Sequence, residues 1–236
     1  MSEWWTYRPS DFLMFSARSY YRLFELHNTG LWPAPLFAVG VGLCVCLALW
    51  RSRAWAPRIG CCASSLGYVV FGMAWVWVGW AFHAQRFAAI NSAATVYAAA
   101  FAVQGLFLIL IGGAALGSAA ALRAPPRPAR AVGLGLLIVA LLLQPALAPL
   151  FGRPLQQAEV WAMAPDPTVL GTLGLLLAAP RPPGAWHWLV WPIPLLWCAV
   201  TGQTLATMGV PEAALLPTAG LIAATTAWRQ SRAFAR

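Results

Sequence analysis

Of 236 residues, 61% are hydrophobic and 9% charged, where soluble domains carry about 25% charged residues; that balance excludes an ordinary soluble enzyme. Fifteen arginines, six acids and no lysine give a net charge of +9, but the arginines are spread between apolar segments and form no single basic patch, so no nucleic-acid partner is expected. Since about 20 apolar residues make a bilayer crossing and lipid-solvated backbone must be bonded internally, the expectation is an all-α polytopic membrane bundle. It has seven transmembrane helices in one domain, plus an N-terminal amphipathic interfacial helix.

Residues 1–34 form that helix and its linker. Glu3 and Asp11 stand where a signal peptide would be basic, and no apolar h-region follows, so the segment is expected to stay on the protein. Ser10 or Asp11 can cap a helix running to about Asn28 and Gly30. Asp11, Arg18, Arg22 and Glu25 share one face, and Phe12, Leu13, Tyr20, Leu23 and Phe24 another, while Trp4, Trp5, Leu31 and Trp32 suit headgroup depth. The expected role is an arm over the outer mouth of the bundle, with a partner-docking surface as the alternative.

The bundle, 35–228, is read as Pro35–Trp50, Ile59–Phe82, Ala93–Leu122, Ala131–Phe151, Pro167–Pro180, Trp186–Met208 and Pro211–Trp228, followed by a basic tail, 229–236. With the N-terminus outside, Arg51, Arg53, Arg58, Arg123, Arg127, Arg130, Arg181, Arg229, Arg232 and Arg236 lie inside. Arg8, Arg18, Arg22, Arg86 and Arg153 lie outside, so ten face five, the direction the positive-inside rule requires. All six acids, Glu3, Asp11, Glu25, Glu159, Asp166 and Glu212, then fall outside. The fifth span is short, about 21 Å at 1.5 Å per residue against a hydrocarbon core of about 30 Å; it must be shielded by protein. A re-entrant hairpin there would reverse the arginine count. The sixth span is interrupted by Pro192 and Pro194, and short or broken spans point to binding cavities in transporters.

In the first two spans Cys44, Cys46, Cys61 and Cys62 lie at similar depth, and soft thiolates suit copper(I), zinc or mercury. Residues two apart on a helix point about 200° apart, so inert packing is the preferred reading. No disulfide is expected, and Cys198 stands alone. Of the three histidines, His27 and His83 approach one depth and His187 does not; a single one could ligate a tetrapyrrole, but side chains beside tryptophans are the simpler reading. No lysine exists to bind retinal. Gln104, Gln144, Thr201, Gln203, Thr204 and Thr207 are the polar residues inside the spans. They are either interhelical glue or the lining of an outward-facing polar pocket, with Asp166 and Glu212 at its rim. Asp166 before Pro167 reads as a helix N-cap, and Glu212 after Pro211 as a first-turn acid. Gly113 and Gly117, Gly133 and Gly135, and Gly171 and Gly174 suggest close helix approach. The fourteen tryptophans, among them Trp50, Trp55, Trp186, Trp188 and Trp228, read as interfacial belts.

Four stretches carry a resemblance: WWTYRPSDFLMFS with YYRLFELHN, AINSAATVYAAAFAVQG (Ala89–Gly105), APDPTVLGTLGLLLA (Ala164–Ala178) and IPLLWCAVTGQTLATMGV (Ile193–Val210). Together they resemble an uncharacterised family of bacterial polytopic membrane proteins, a domain of unknown function. In that family Asn-Pro is usual where this chain has Asn91-Ser92, and Cys is frequent at the place of Asp166. The resemblance implies a bacterial inner-membrane location and transfers no activity. No G-x-S-x-G, H-E-x-x-H or P-loop is present, and the spans hold no ionisable group of the kind coupled transporters use. A non-enzyme without catalytic residues or a resident cofactor is expected, placed in the inner membrane with periplasmic N-terminus and cytoplasmic C-terminus. Its partners would be the lipid bilayer and other membrane subunits, as an accessory or scaffold subunit; the alternative is a facilitator-type permease for a small neutral or weakly polar solute.

Overall fold

The computed structural model describes residues 13–52, 57–117, 123–180 and 186–235. Ser16 has extended backbone, and its hydroxyl accepts the Ser19 amide, a side-chain cap for amides that a helix start leaves unbonded. It opens α1 (Ala17–Gly30). The expected start at Ser10 or Asp11 is thus corrected to Ala17; those two residues lie outside the described stretches. Tyr20, Tyr21, Leu23, Phe24, His27 and Asn28 are buried, and what buries them is protein. Phe24 stacks on Phe82 with ring centroids 4.9 Å apart, and Asn28 Nδ2 donates to the carbonyls of Gln156 and Ala158 at 2.9 and 2.8 Å.

In α2 (Ala34–Arg51) the buried residues are Pro35, Gly42 and Leu49, seven apart, so one narrow line touches the bundle. Leu36, Phe37, Val41, Leu43, Leu47 and Trp50 are exposed. A helix apolar on every side yet packed along one line is dressed for an apolar surrounding.

The tightest pair is α3 (Pro57–Val78), prolonged by a π-helical turn at Gly79–Ala84, against α4 (Ala94–Gly117). Small residues recur every seven positions on both: Ser65, Gly72 and Gly79 face Ala98, Gly105 and Gly112. A Cβ on Gly72 would lie 2.6 Å from the Gly105 carbonyl, one on Gly105 2.6 Å from the Gly72 carbonyl, and one on Gly112 2.7 Å from the Ser65 carbonyl. Backbones approach this closely only without side chains between them. Gly113, by contrast, meets nothing within 4 Å; the close helix approach expected there is instead made by the seven-residue ladder.

The next long helix comprises α5 (Arg127–Ile138), a π turn at Val139–Leu143 and α6 (Gln144–Leu150). Pro145 has no amide for the Leu141 carbonyl, and the ladder widens just before it. Three elements follow: α7 (Pro165–Ala178), α8 (Trp186–Leu189) and α9 (Pro192–Thr207). The break between α8 and α9 falls at Val190–Trp191, and Pro192 takes the first position of α9, where its missing amide costs no bond. A 3-10 turn at Pro211–Ala214 leads into α10 (Leu215–Ala235).

All fourteen residues of α7 are buried, by α3, α5, α9, α10 and the π turn of residues 139–143. The shielding expected of a short fifth span is present on every side. Gly133 and Gly174 cross with each Cβ position 2.6 Å from the other's carbonyl, while Gly135 meets nothing. Gly171 lies against Trp161 and Phe71.

Among the described residues, five helices are long and apolar enough to cross a membrane: Ala34–Arg51, Gly60–Ala89, Ala94–Leu116, Arg127–Leu150 and His187–Thr207. This narrows the expected seven. The other two are α7, too short, and α10, whose second half carries Thr225, Thr226, Arg229, Gln230 and Arg232. Successive long helices alternate in direction and sort the charges. Among the described residues, Glu25, Glu159, Asp166 and Glu212 gather at the end covered by α1, with Arg18, Arg22, Arg86 and Arg153. The opposite end carries Arg51, Arg123, Arg127, Arg130, Arg229 and Arg232 and no acid. There Arg130 donates to the carbonyls of Leu49 and Trp50, tying α5 to the last turn of α2.

Candidate functional site

The polar centre of the molecule is built on the start of α7. Ala164 is extended, Pro165 occupies the first turn, where its missing amide costs nothing, and Asp166 follows. The expected N-cap role of Asp166 is corrected, because the helix begins before it and its carboxylate turns sideways. Oδ1 accepts Trp197 Nε1 and Oδ2 accepts Thr201 Oγ1, both at 2.8 Å. Trp197 and Thr201 stand four apart on α9, so both face Asp166, whose side chain is 1% exposed.

Around this carboxylate stand Glu159, Glu212, Arg153 and Gln144. Arg153 pairs with Glu212 and lies over the Tyr21 ring, 3.6 Å from its centroid, which couples α1 to the cluster. Gln144 Nε2 donates to Glu159 Oε2 at 3.3 Å. Burial pushes the Glu159 carboxyl well above the usual carboxylate range, repulsion by Asp166 adds to the rise, and Arg153 opposes it. These five polar side chains line a space of about 10 Å³, room for about one water. Gln144 Oε1 and Arg153 Nη1 are buried without a hydrogen-bond partner among the described residues. The arrangement joins the 152–164 loop to the 211–214 turn by an ion pair, and to α6, as it joins α7 to α9, by hydrogen bonds. It offers no space for a solute.

Trp197 also closes an aromatic box around His83, which is 0% exposed. The imidazole centroid is 4.5 Å from Phe101, 5.0 Å from Trp197 and 5.9 Å from Tyr97, and neither nitrogen has a hydrogen-bond partner among the described residues. His27 likewise has both nitrogens buried and unpartnered, edge-on to Phe82 at 5.7 Å; burial lowers its pKa to about 4. His187 accepts Trp191 Nε1 at 3.2 Å. A tetrapyrrole on His27 or His83 would require this ring packing to open.

The six polar residues singled out from the sequence do not share one cavity. Gln104 is buried and donates to the Val190 carbonyl at the α8–α9 break, 3.0 Å away. Gln144 and Thr201 belong to the acidic cluster. Thr204 bonds back to the Val200 carbonyl, and Gln203 and Thr207 bond to each other on an exposed face. Of the cysteines, Cys44 and Cys62 are exposed, Cys46 is half-buried, and Cys61 is buried with its thiol toward the Ala115 carbonyl at 3.8 Å. Among the described residues no three His, Cys, Asp or Glu side chains come together to hold a metal ion. Sequence reasoning missed Glu159, Arg153 and Trp197. The available signals were the gathering of every acid on one side and the four-residue spacing of Trp197 and Thr201.

No curated protein and no solved structure matches the chain. A family of unknown function, DUF6064, matches residues 17–236, from the first residue of α1 onward. The chain belongs to that family.

Proposed function

We propose that this is a multi-pass inner-membrane protein of a bacterium, crossing seven times with α1 on the periplasmic side, and that it serves as a non-catalytic accessory or scaffold subunit for other membrane proteins. Five helices of crossing length and the sorting of arginine from acid support the bilayer reading. In it α7 crosses inside a protein sheath and α10 supplies the seventh passage. The observation that carries the accessory role is where the polar groups go. Gln104, Gln144, Thr201 and Asp166 bond to neighbouring segments, and α7 fills the axis with every residue buried. Meanwhile α2 and α4 hold apolar side chains outward, such as Phe37, Val41, Val103 and Leu110. A facilitator would need a polar route along the axis, and the space at the acidic cluster admits about one water. Purification from native membranes in a gentle detergent, followed by mass spectrometry, tests the role. Stoichiometric co-purification of another membrane protein is expected, and a lone monomer or homo-oligomer overturns it.

A further inference from the structure

Beside the acidic end, where α1 turns into α2, a cleft of about 490 Å³ opens, within the range of small-ligand pockets, about 300–1,000 Å³. Its walls are Pro35, Leu36 and Val39 of α2, Pro145 of α6, and Leu155 and Val160. No charged residue lines it. Besides the Trp32 indole, its polar side chains are those of Asn28, Thr29 and Gln156, which lie together. Asn28 Nδ2 is committed to two backbone carbonyls, so the Thr29 hydroxyl and the Gln156 amide are what the rim offers a ligand. An apolar cavity of this size is poor ground for ordered water, which needs two to four polar partners (about three each).

The charge beside the rim indicates what fills it. Arg86 reaches the end of α1, its Nη2 3.5 Å from where a Cβ on Gly30 would stand, next in sequence to Thr29. Arg86 has no acidic partner among the described residues, whereas Arg22 and Arg153 each pair with a glutamate. Apolar walls, a hydroxyl and an amide at one end, and an uncompensated guanidinium next to that end match an amphiphile with a hydrocarbon tail and an anionic head. Trp32, Leu36 and Leu155 are exposed at the lips, so the cleft opens sideways, as entry from a leaflet requires.

We infer that this cleft binds one acyl chain of a phospholipid from the leaflet at the acidic end, with the phosphate held between Arg86 and the Thr29 hydroxyl and Gln156 amide of the rim. The inference rests on the membrane reading above, and the test separates the two. The protein is reconstituted in vesicles of phosphatidylcholine and phosphatidylglycerol containing a phospholipid with a photoreactive group in its chain, and labelled peptides are mapped. Labelling at Leu36, Val39 and Val160 should exceed that at Leu110 and Leu221, exposed residues elsewhere on the bundle, by several-fold. Val39→Trp, which fills the cleft, should remove the excess and leave Leu110 and Leu221 unchanged; Val39→Phe serves if the larger ring prevents folding. Arg86→Gln should reduce cleft labelling while leaving the background intact. Uniform labelling, labelling indifferent to Val39→Trp, labelling by a photoreactive free fatty acid alone, or capture of a second protein chain at Leu36 would each overturn the inference with the membrane reading intact. Absence of label on every face, Leu110 and Leu221 included, would overturn the membrane reading and the cleft with it.

Discussion

Asp166 is an acid with no ion-pair partner among the described residues, held by an indole and a hydroxyl from one face of α9. Removing it strands two buried donors, and a buried donor left unpaired costs about 1–3 kcal/mol. Asp166→Ala should therefore lower the thermal midpoint of the detergent-solubilised protein more than Trp197→Phe or Thr201→Val does, since each of those removes one donor and leaves the carboxylate one partner. The double variant Asp166→Ala/Trp197→Phe should fall short of additivity by about 0.5–3 kcal/mol, the coupling expected of residues in one bonded network. Additive losses would mean that the indole and the carboxylate do not act together. The same residue marks a limit of sequence reading. Asp-Pro before an apolar run has the pattern of a helix cap, and nothing local tells that the helix starts two residues earlier and aims the carboxylate at α9.

At the scale of elements, contact between helices is set by glycine. Gly72→Leu or Gly105→Leu drives a side chain into facing backbone, and overpacking of this kind costs about 1–3 kcal/mol or more. Gly113→Leu meets open space and should fall within about 0.5 kcal/mol of wild type. Thermal unfolding of the three variants measures the contrast; equal losses would remove the ladder as the reason α3 and α4 pair. The α1 arm depends on pH. His27 is neutral in the docked arm with a pKa lowered to about 4 from an ordinary 6.5, so its contribution is fully present above pH 6.5 and is lost as pH falls toward 4. Glu25, held below the usual range by Gln157 and Arg22, fails in the same direction at lower pH. Glu159, raised by burial, shifts the opposite way. Protection of the amides of residues 17–30, taken relative to the intrinsic exchange rate at each pH, should therefore fall between pH 6.5 and 4, and His27→Phe should remove the part above pH 5. These elements differ in how far the sequence foretold them. The amphipathic pattern of Tyr20, Leu23 and Phe24 gave the buried face of α1, since periodicity is a local property. That this face meets Phe82 and Phe87, and that Gly105 rather than Gly113 meets α3, depends on which helix lies alongside, and composition does not encode that.

For the whole molecule, the handedness of crossing turns on α7. Fourteen residues span about 21 Å, less than the hydrocarbon core of about 30 Å, yet α9 and α10 continue the alternation as if it had crossed, and Arg229 and Arg232 emerge at the end that holds Arg51, Arg123, Arg127 and Arg130. Lipid need not be thinned for it, because no α7 residue touches the exterior; the sheath of α3, α5, α9 and α10 carries the mismatch. If α7 is a crossing, cytoplasmic reporters joined after Arg123 and after Arg232 should both be active, and one joined after Leu155 should be active only in the periplasmic form. Were α7 instead to dip in and return, the reporter after Arg232 alone of the three would switch sides, moving Arg181, Arg229, Arg232 and Arg236 away from the other six inner arginines against the charge rule. A reporter after Arg232 that is periplasmic while that after Arg123 stays cytoplasmic would thus reduce the crossings by one and turn α7 into a buried plug entered from the acidic end.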